Sequence, residues 1–82
     1  MFLKGKIELY VINIKDGNRA FWVNPEMKVL DFKKIVGNEF GMSHEMFVLI
    51  CNGKPLMDTK TLADYNIQNK HKIHVLKKYL AG

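Results

Sequence analysis

Residues 7–24 read IELYVINIKDGNRAFWVN, a stretch rich in β-branched and aromatic residues that one Asp-Gly pair interrupts. Such runs are typical of strands, and Asp-Gly between two of them favours a hairpin because both central turn residues can adopt positive φ. We therefore predict a strand over residues 7–14, a turn over 15–18 and a return strand over 19–24. Pro25 lacks the N–H that a strand ladder requires, so it ends the second strand.

A helix and two further strands are predicted after the hairpin. Val29, Phe32, Val36 and Phe40 recur at intervals that form one apolar stripe of about three helical turns, and Gly41 follows at the position of a left-handed C-cap. The apolar run 47–51, closed by an Asn-Gly turn pair, predicts a third strand. We expect a short helical turn over residues 61–66 and a last strand over 73–76, or as far as residue 79.

The predicted sheet has large apolar residues on both faces. One helix covers only one face, and the other face of such a sheet is normally polar. Alternation assigns to the helix side Leu9, Val11, Leu49, Ile73 and Val75. The centre of the opposite face, here called the outer patch, is then formed by Ile14, Val48, Ile50 and Leu76. Exposed apolar surface of this kind indicates either a site for transient partners or a surface hidden permanently by a second layer.

Composition favours one small globular domain that contacts acidic partners. The 82 residues are 48% hydrophobic and carry 13 basic against 8 acidic side chains, a net charge of +5. Nucleic-acid binding is not expected, because Arg19 is the sole arginine and the aromatic residues are not interleaved with the basic ones. A single cysteine and no apolar run long enough for a membrane span predict a cytoplasmic or nuclear domain.

Catalytic chemistry is not expected either. Cys51 lies in an apolar run and is predicted to be a small buried hydrophobe. Asp64 and Tyr65 are predicted to cap backbone groups around the short helical turn. The three histidines lack the spacing of metal ligands. We therefore expect no enzyme activity, metal, cofactor or small-molecule substrate.

A second stretch brings a family resemblance. Residues 61–68, TLADYNIQ, are nearly identical to the corresponding stretch of ubiquitin, and Leu49, Ile50, Gly53, Lys54 and His74 stand at matching positions. The chain thus resembles the ubiquitin-like family over residues 7–82, with residues 1–6 as a leader and residues from about 77 to 82 as a C-terminal tail. The resemblance implies an α+β fold, the ubiquitin-like β-grasp, in which a mixed four- to five-stranded sheet packs on one α-helix.

The same resemblance implies a non-catalytic interaction module. Family members bind short helices or small helical ubiquitin-binding domains through an apolar sheet patch. The basic rim formed here by Lys54, Lys72 and Lys78 favours acidic amphipathic helices. The helix and third-strand regions are similar to N-terminal domains of shuttle proteins, which dock on the proteasome or on ubiquitin-binding helices. We expect a monomer in the ubiquitin–proteasome pathway of protein degradation. The partner-binding residues implied are Ile14, Val48, Ile50, Gly53, Lys54, His74, Leu76 and Lys78.

The alternative reading is a modifier that is conjugated to target proteins through Gly82. Ala81 replaces the penultimate glycine of ubiquitin, and its methyl group restricts a tail that must thread a narrow channel. Lys33 and Lys54 stand at chain-acceptor positions of the family.

Trp22 is the unusual residue of the second strand. Alternation points it away from the core-facing Phe21 and Val23. Two readings are open: the indole packs under Phe2 and Leu3 of the leader, or it is a second binding anchor.

Overall fold

The structure, a computed structural model, describes residues 5–78. Within them, five strands form one sheet and a single α-helix packs on one of its faces, which confirms the predicted ubiquitin-like β-grasp. The strands are β1 (Ile7–Asn13), β2 (Gly17–Val23), β3 (Phe47–Cys51), β4 (Lys54–Pro55) and β5 (Lys72–Lys77), and the helix is α1 (Val29–Phe40). Short 3-10 turns occupy His44–Met46 and Ala63–Tyr65.

The order of strands across the sheet is β2-β1-β5-β3-β4. β1 and β5 are parallel, and the other neighbours are antiparallel. The last strand therefore lies between the first and the third, and its His74 pairs with Ile12 on one side and Ile50 on the other. This crossover places residues that are distant in sequence side by side on the face opposite α1, here called the outer face.

The core lies between α1 and the inner face of the sheet. Phe21 and Phe32 meet edge to face with their ring centroids 5.7 Å apart, which joins β2 to the helix. The side chains assigned to the helix side by alternation are fully buried, apart from the partly buried Val75. Each large buried side chain contributes about 1.5–3 kcal/mol to folding, so this alternation fixes which face is hidden. Fully buried side chains are Leu9, Val11, Val29, Phe32, Val36, Phe47, Leu49, Leu62 and Ile73.

The first hairpin is confirmed, but its predicted turn is wrong. Asn13 pairs with Gly17, so the loop consists of the three residues 14–16. Gly17 has a positive φ of 92°, whereas Asp16, the other residue of the Asp-Gly pair, does not have a positive φ. The buried Asn13 side chain accepts from the Lys15 N–H at 3.3 Å and donates to Asp16 at 3.1 Å, which ends β1 one residue early. Ile14 therefore belongs to the loop and not to the strand.

The start of α1 is held by a distant loop. Lys28 at the N-cap makes no side-chain capping bond. The free N–H groups of Val29 and Leu30 donate instead to the carbonyl oxygens of Lys60, at 2.7 Å, and Asp58, at 3.2 Å. Backbone acceptors that arrive from residues 58–60 satisfy the first helical turn, so a strong capping side chain is unnecessary.

Candidate functional site

Three residues of the outer patch come together across β3 and β5. Val48 lies directly opposite Leu76, and Ile50 lies opposite His74, on strands about 4.8 Å apart. Leu76 is 54% exposed, and Val48 and Ile50 are half-buried. All three side chains thus reach solvent on the face that α1 leaves uncovered.

Ile14 joins the patch from the hairpin loop and is 93% exposed. The β1–β5 pairing ends at Ile12 and His74. Beyond that point, the segments 13–15 and 75–77 border an open groove of about 420 Å³. Ile14 borders this groove on one side and Leu76 on the other. The complete lining is Asn13, Ile14, Lys15, Val75, Leu76 and Lys77.

Polar and basic residues surround the patch. Gly53, with φ of 77°, forms the tight turn between β3 and β4, and exposed Lys54 follows it. Exposed His74 separates Ile12 from Ile50 on the outer face. The Lys78 N–H donates to the Met46 carbonyl at 2.8 Å, which fixes the exposed Lys78 at the end of β5. The eight sequence-predicted binding residues therefore lie on or beside one surface.

Pro55 extends the apolar surface and was not predicted. It is exposed and lies directly opposite Ile50 in the β3–β4 pair, so the two side chains are neighbours on the outer face. The signal was present in the sequence, because a two-residue Asn-Gly turn pairs position 51 with 54 and therefore 50 with 55.

Lys33, one of the two tentative chain acceptors, is buried. Its side chain is 4% exposed, and its Nζ lies 3.0 Å from Asp58 Oδ1 and 5.8 Å from the centroid of the Phe47 ring. The lysine nitrogen is held in an ion pair, and its use as an acceptor stays a prediction. Lys54, the other tentative acceptor, is exposed. Position 33 lies four residues after the buried Val29, and this helical spacing indicates that the Lys33 side chain faces inward.

The ends of the chain bear on two predictions. Gly82, the tentative conjugation residue, lies outside the described residues, as do residues 1–4 of the predicted leader. The predicted tail was placed from about residue 77, and Lys77 still pairs with Phe47 as the last residue of β5.

Trp22 lies on the outer face at the edge strand β2. It is 62% exposed, whereas its neighbours Phe21 and Val23 are buried, as alternation predicted. Its cross-strand partner is Glu8 on β1. Leader packing, the first of the two readings, depends on Phe2 and Leu3, which lie outside the described residues.

The reactive side chains serve the fold. Burial raises the pKa of the Cys51 thiol, which disfavours the nucleophilic thiolate. The Thr61 N–H donates to Asp64 Oδ2 at 2.9 Å and lowers the pKa of that carboxyl, while the Asp64 N–H donates to Thr61 Oγ1 at 3.1 Å. The Tyr65 hydroxyl accepts from the Met57 N–H at 2.9 Å. These bonds confirm the predicted capping roles of Asp64 and Tyr65.

The described residues contain neither a cluster of metal-ligating side chains nor a helix suited to a membrane. Between residues 5 and 78, no three His, Cys, Asp or Glu side chains are grouped so that they could hold a metal ion. In the same range no helix has the length and apolar character to cross a membrane.

Comparisons with known proteins agree with the fold. The profile of the Ubiquitin family matches residues 9–79. The chain is 38% identical over 68 residues, 80% of its length, to ubiquitin domain-containing protein DSK2 of Saccharomyces cerevisiae. It is 34% identical over 73 residues, 89% of its length, to large proline-rich protein bag6-A of Xenopus laevis, and 34% identical over 74 residues, 90% of its length, to large proline-rich protein BAG6 of Danio rerio.

The match covers most of this chain and a small part of each relative. The chain spans 18% of the length of DSK2 and 6% of that of each BAG6 protein. The shared region is therefore a domain, and it includes the strands and the helix that frame the outer face. With the family profile matched over residues 9–79 and the β-grasp in place, the chain belongs to the ubiquitin family.

Proposed function

We propose that this ubiquitin-like domain is a non-catalytic protein-interaction module that binds helical partners through the outer patch. The observation that carries the proposal is the cluster of Ile14, Ile50 and Leu76 on a sheet face that α1 does not cover. A partner helix that lays an apolar stripe on these side chains removes them from water, and each Å² of apolar surface buried contributes about 25 cal/mol.

Charge selects among helical partners. The side chains that border the patch include Lys54, Lys78 and Lys15, all of them exposed. Lysines at the rim of an interface attract and orient a partner of opposite charge. The proposed partners are therefore acidic amphipathic helices and small helical ubiquitin-binding domains. We propose that such partners include proteasome or quality-control factors of the ubiquitin–proteasome pathway, which the similarity to DSK2 and BAG6 supports.

The test is the Ile50→Ala substitution, with a ubiquitin-interacting helical peptide of about 20 residues as the probe. Loss of a central anchor is expected to cost about 2 kcal/mol, which is roughly a 30-fold increase in Kd measured by calorimetry. Ile35→Ala is the matched control, because Ile35 is an exposed isoleucine on α1, outside the outer face. It is expected to leave Kd unchanged.

A second variant separates binding from folding. Ile14 is 93% exposed, so Ile14→Ala should leave the urea midpoint unchanged while it weakens the peptide. Equal affinity of the parent, Ile50→Ala and Ile14→Ala proteins would reject the proposal. So would an increase in sedimentation coefficient with protein concentration that the Ile50→Ala substitution abolishes, because the patch would then be buried against a second copy.

A further inference from the structure

We infer that the partner helix extends past the outer patch and uses Trp22 as a second anchor, so that this domain selects acidic amphipathic helices of at least about four turns. The inference rests on the proposed function, since it concerns the length and polarity of the same partner. Trp22 is not part of the outer patch and lies at the opposite end of the outer face.

The register gives the distance between the two anchors. On the outer face, β1 presents Ile12, Tyr10 and Glu8 in succession, and Glu8 lies opposite Trp22. From Ile12 to Glu8 is four residues, or about 13 Å along the strand direction, and Ile14 follows beyond Ile12 in the hairpin loop. Across the sheet, Ile50 on β3 is separated from Trp22 on β2 by three strand spacings, or about 14 Å. Ile50 and Trp22 are therefore about 20 Å apart on a diagonal of the outer face. Four turns of α-helix span about 22 Å, so one helix of about 15 residues placed along this diagonal contacts both anchors.

The path between the anchors crosses Tyr10 in the middle of β1. Tyr10 is half-buried, and its cross-strand partner on β2 is Ala20, the smallest side chain between Asn18 and Trp22 on that face. On β2 itself, the residue beside Trp22 on the side toward the hairpin loop is therefore small. A helix that rests on Ile12 and Tyr10 can continue to the indole without leaving the surface.

Charge along the path sets the polarity of the partner. Lys72 lies beside Tyr10 in the β1–β5 pair, and His74 lies beside Ile12. Among the outer-face strand residues the one acid is Glu8, directly opposite Trp22. A matching helix carries acidic side chains over the turns that face the patch and Lys72. It carries a basic side chain in the turn that covers Trp22.

Trp22 itself reports whether the helix reaches it, because the protein contains one tryptophan. The probes are two synthetic amphipathic peptides without aromatic residues. The long one has about 24 residues, with a leucine stripe, flanking glutamates and one lysine in its last turn. The short one is its first half, about 12 residues. Both should shift the NMR signals of Ile50. The long peptide alone should move the Trp22 emission to shorter wavelength and reduce quenching by acrylamide.

Affinities give the second readout. Trp22→Ala should weaken the long peptide at least about tenfold and leave the short peptide unchanged, whereas Trp22→Phe should restore most of the loss. Because Trp22 is largely exposed, the alanine variant should keep the parental urea midpoint. Ile50→Ala should weaken both peptides, and Ile35→Ala should weaken neither.

Several outcomes would overturn the inference. If the long peptide binds in an Ile50-dependent way while Trp22 emission and the Trp22→Ala affinity stay unchanged, the second anchor is rejected and the proposed function stands. If neither peptide binds, both proposals are rejected for this class of partner. A red-shifted emission of the peptide-free Phe2→Ser, Leu3→Ser double variant would assign Trp22 to the leader instead. A blue shift on concentrating the protein alone would assign it to a second copy.

Discussion

Asp58→Ala is expected to destabilise the protein far more than Lys33→Met, although the two residues form one ion pair. The pair is asymmetric, because the Lys33 side chain is 4% exposed and that of Asp58 is 44% exposed. Removing Asp58 leaves a buried ammonium against the Phe47 ring without its carboxylate. Removing the charge of Lys33 leaves a carboxylate that water already reaches.

The exposures set the magnitudes. Breaking a fully buried pair by deleting one partner costs about 3–5 kcal/mol. Since Asp58 faces solvent, water can enter and partly solvate Lys33, so we expect about 2 kcal/mol for Asp58→Ala. Lys33→Met keeps the apolar stem in place, and its effect should stay within about 1 kcal/mol of zero. The alanine variant retains the Asp58 carbonyl that accepts from Leu30, so α1 keeps this contact at its start.

Urea denaturation of the two single variants and the double variant measures these differences. For a chain of this size, about 2 kcal/mol corresponds to a midpoint lower by roughly 2 M urea and a Tm lower by about 8–16 °C. The Lys33→Met, Asp58→Ala double variant should be about as stable as Lys33→Met alone, because no unpaired ammonium remains. Equal losses in the two single variants, or no loss in Asp58→Ala, would refute the asymmetry.

Two further predictions concern a glycine and a carboxylate. Gly37→Ala should destabilise the protein by about 1 kcal/mol, despite the higher helix propensity of alanine, because the new Cβ would overlap the Met42 carbonyl oxygen; a urea midpoint equal to or above that of the parent would contradict this. The pKa of Asp64 is lowered by its bond from the Thr61 N–H, so its stabilising effect is complete above the ordinary aspartate range and is lost as the pH falls through the lowered pKa. Asp64→Asn should therefore flatten the acid limb of the stability profile, at and below the ordinary aspartate range, and an unchanged acid limb would argue against it.

The outer patch could be located from sequence to the extent that it depends on strand alternation. Ile50 and Leu76 reach solvent because side chains alternate between the two faces of a strand. The same alternation buries Leu49 and partly buries Val75 on the helix side. The same rule placed Trp22 on the exposed face. Pro55 required the register across a two-residue turn, and the groove beside Ile14 required the point at which β1 and β5 separate. Alternation describes the two faces of a single strand, so it predicts neither the Ile50–Pro55 pairing nor the separation of β1 from β5.

Local chemistry in the sequence determined the apolar stripe of α1, its end at the left-handed Gly41 cap and the β3 strand, since neighbouring residues decide those features. Tertiary structure decided the rest. The carbonyls of Asp58 and Lys60 begin the helix, and the same loop gives Lys33 a carboxylate partner that allows an ammonium to be buried. Both depend on contacts between groups that are 25 or more residues apart in the sequence, and only the folded chain brings such groups within hydrogen-bonding distance.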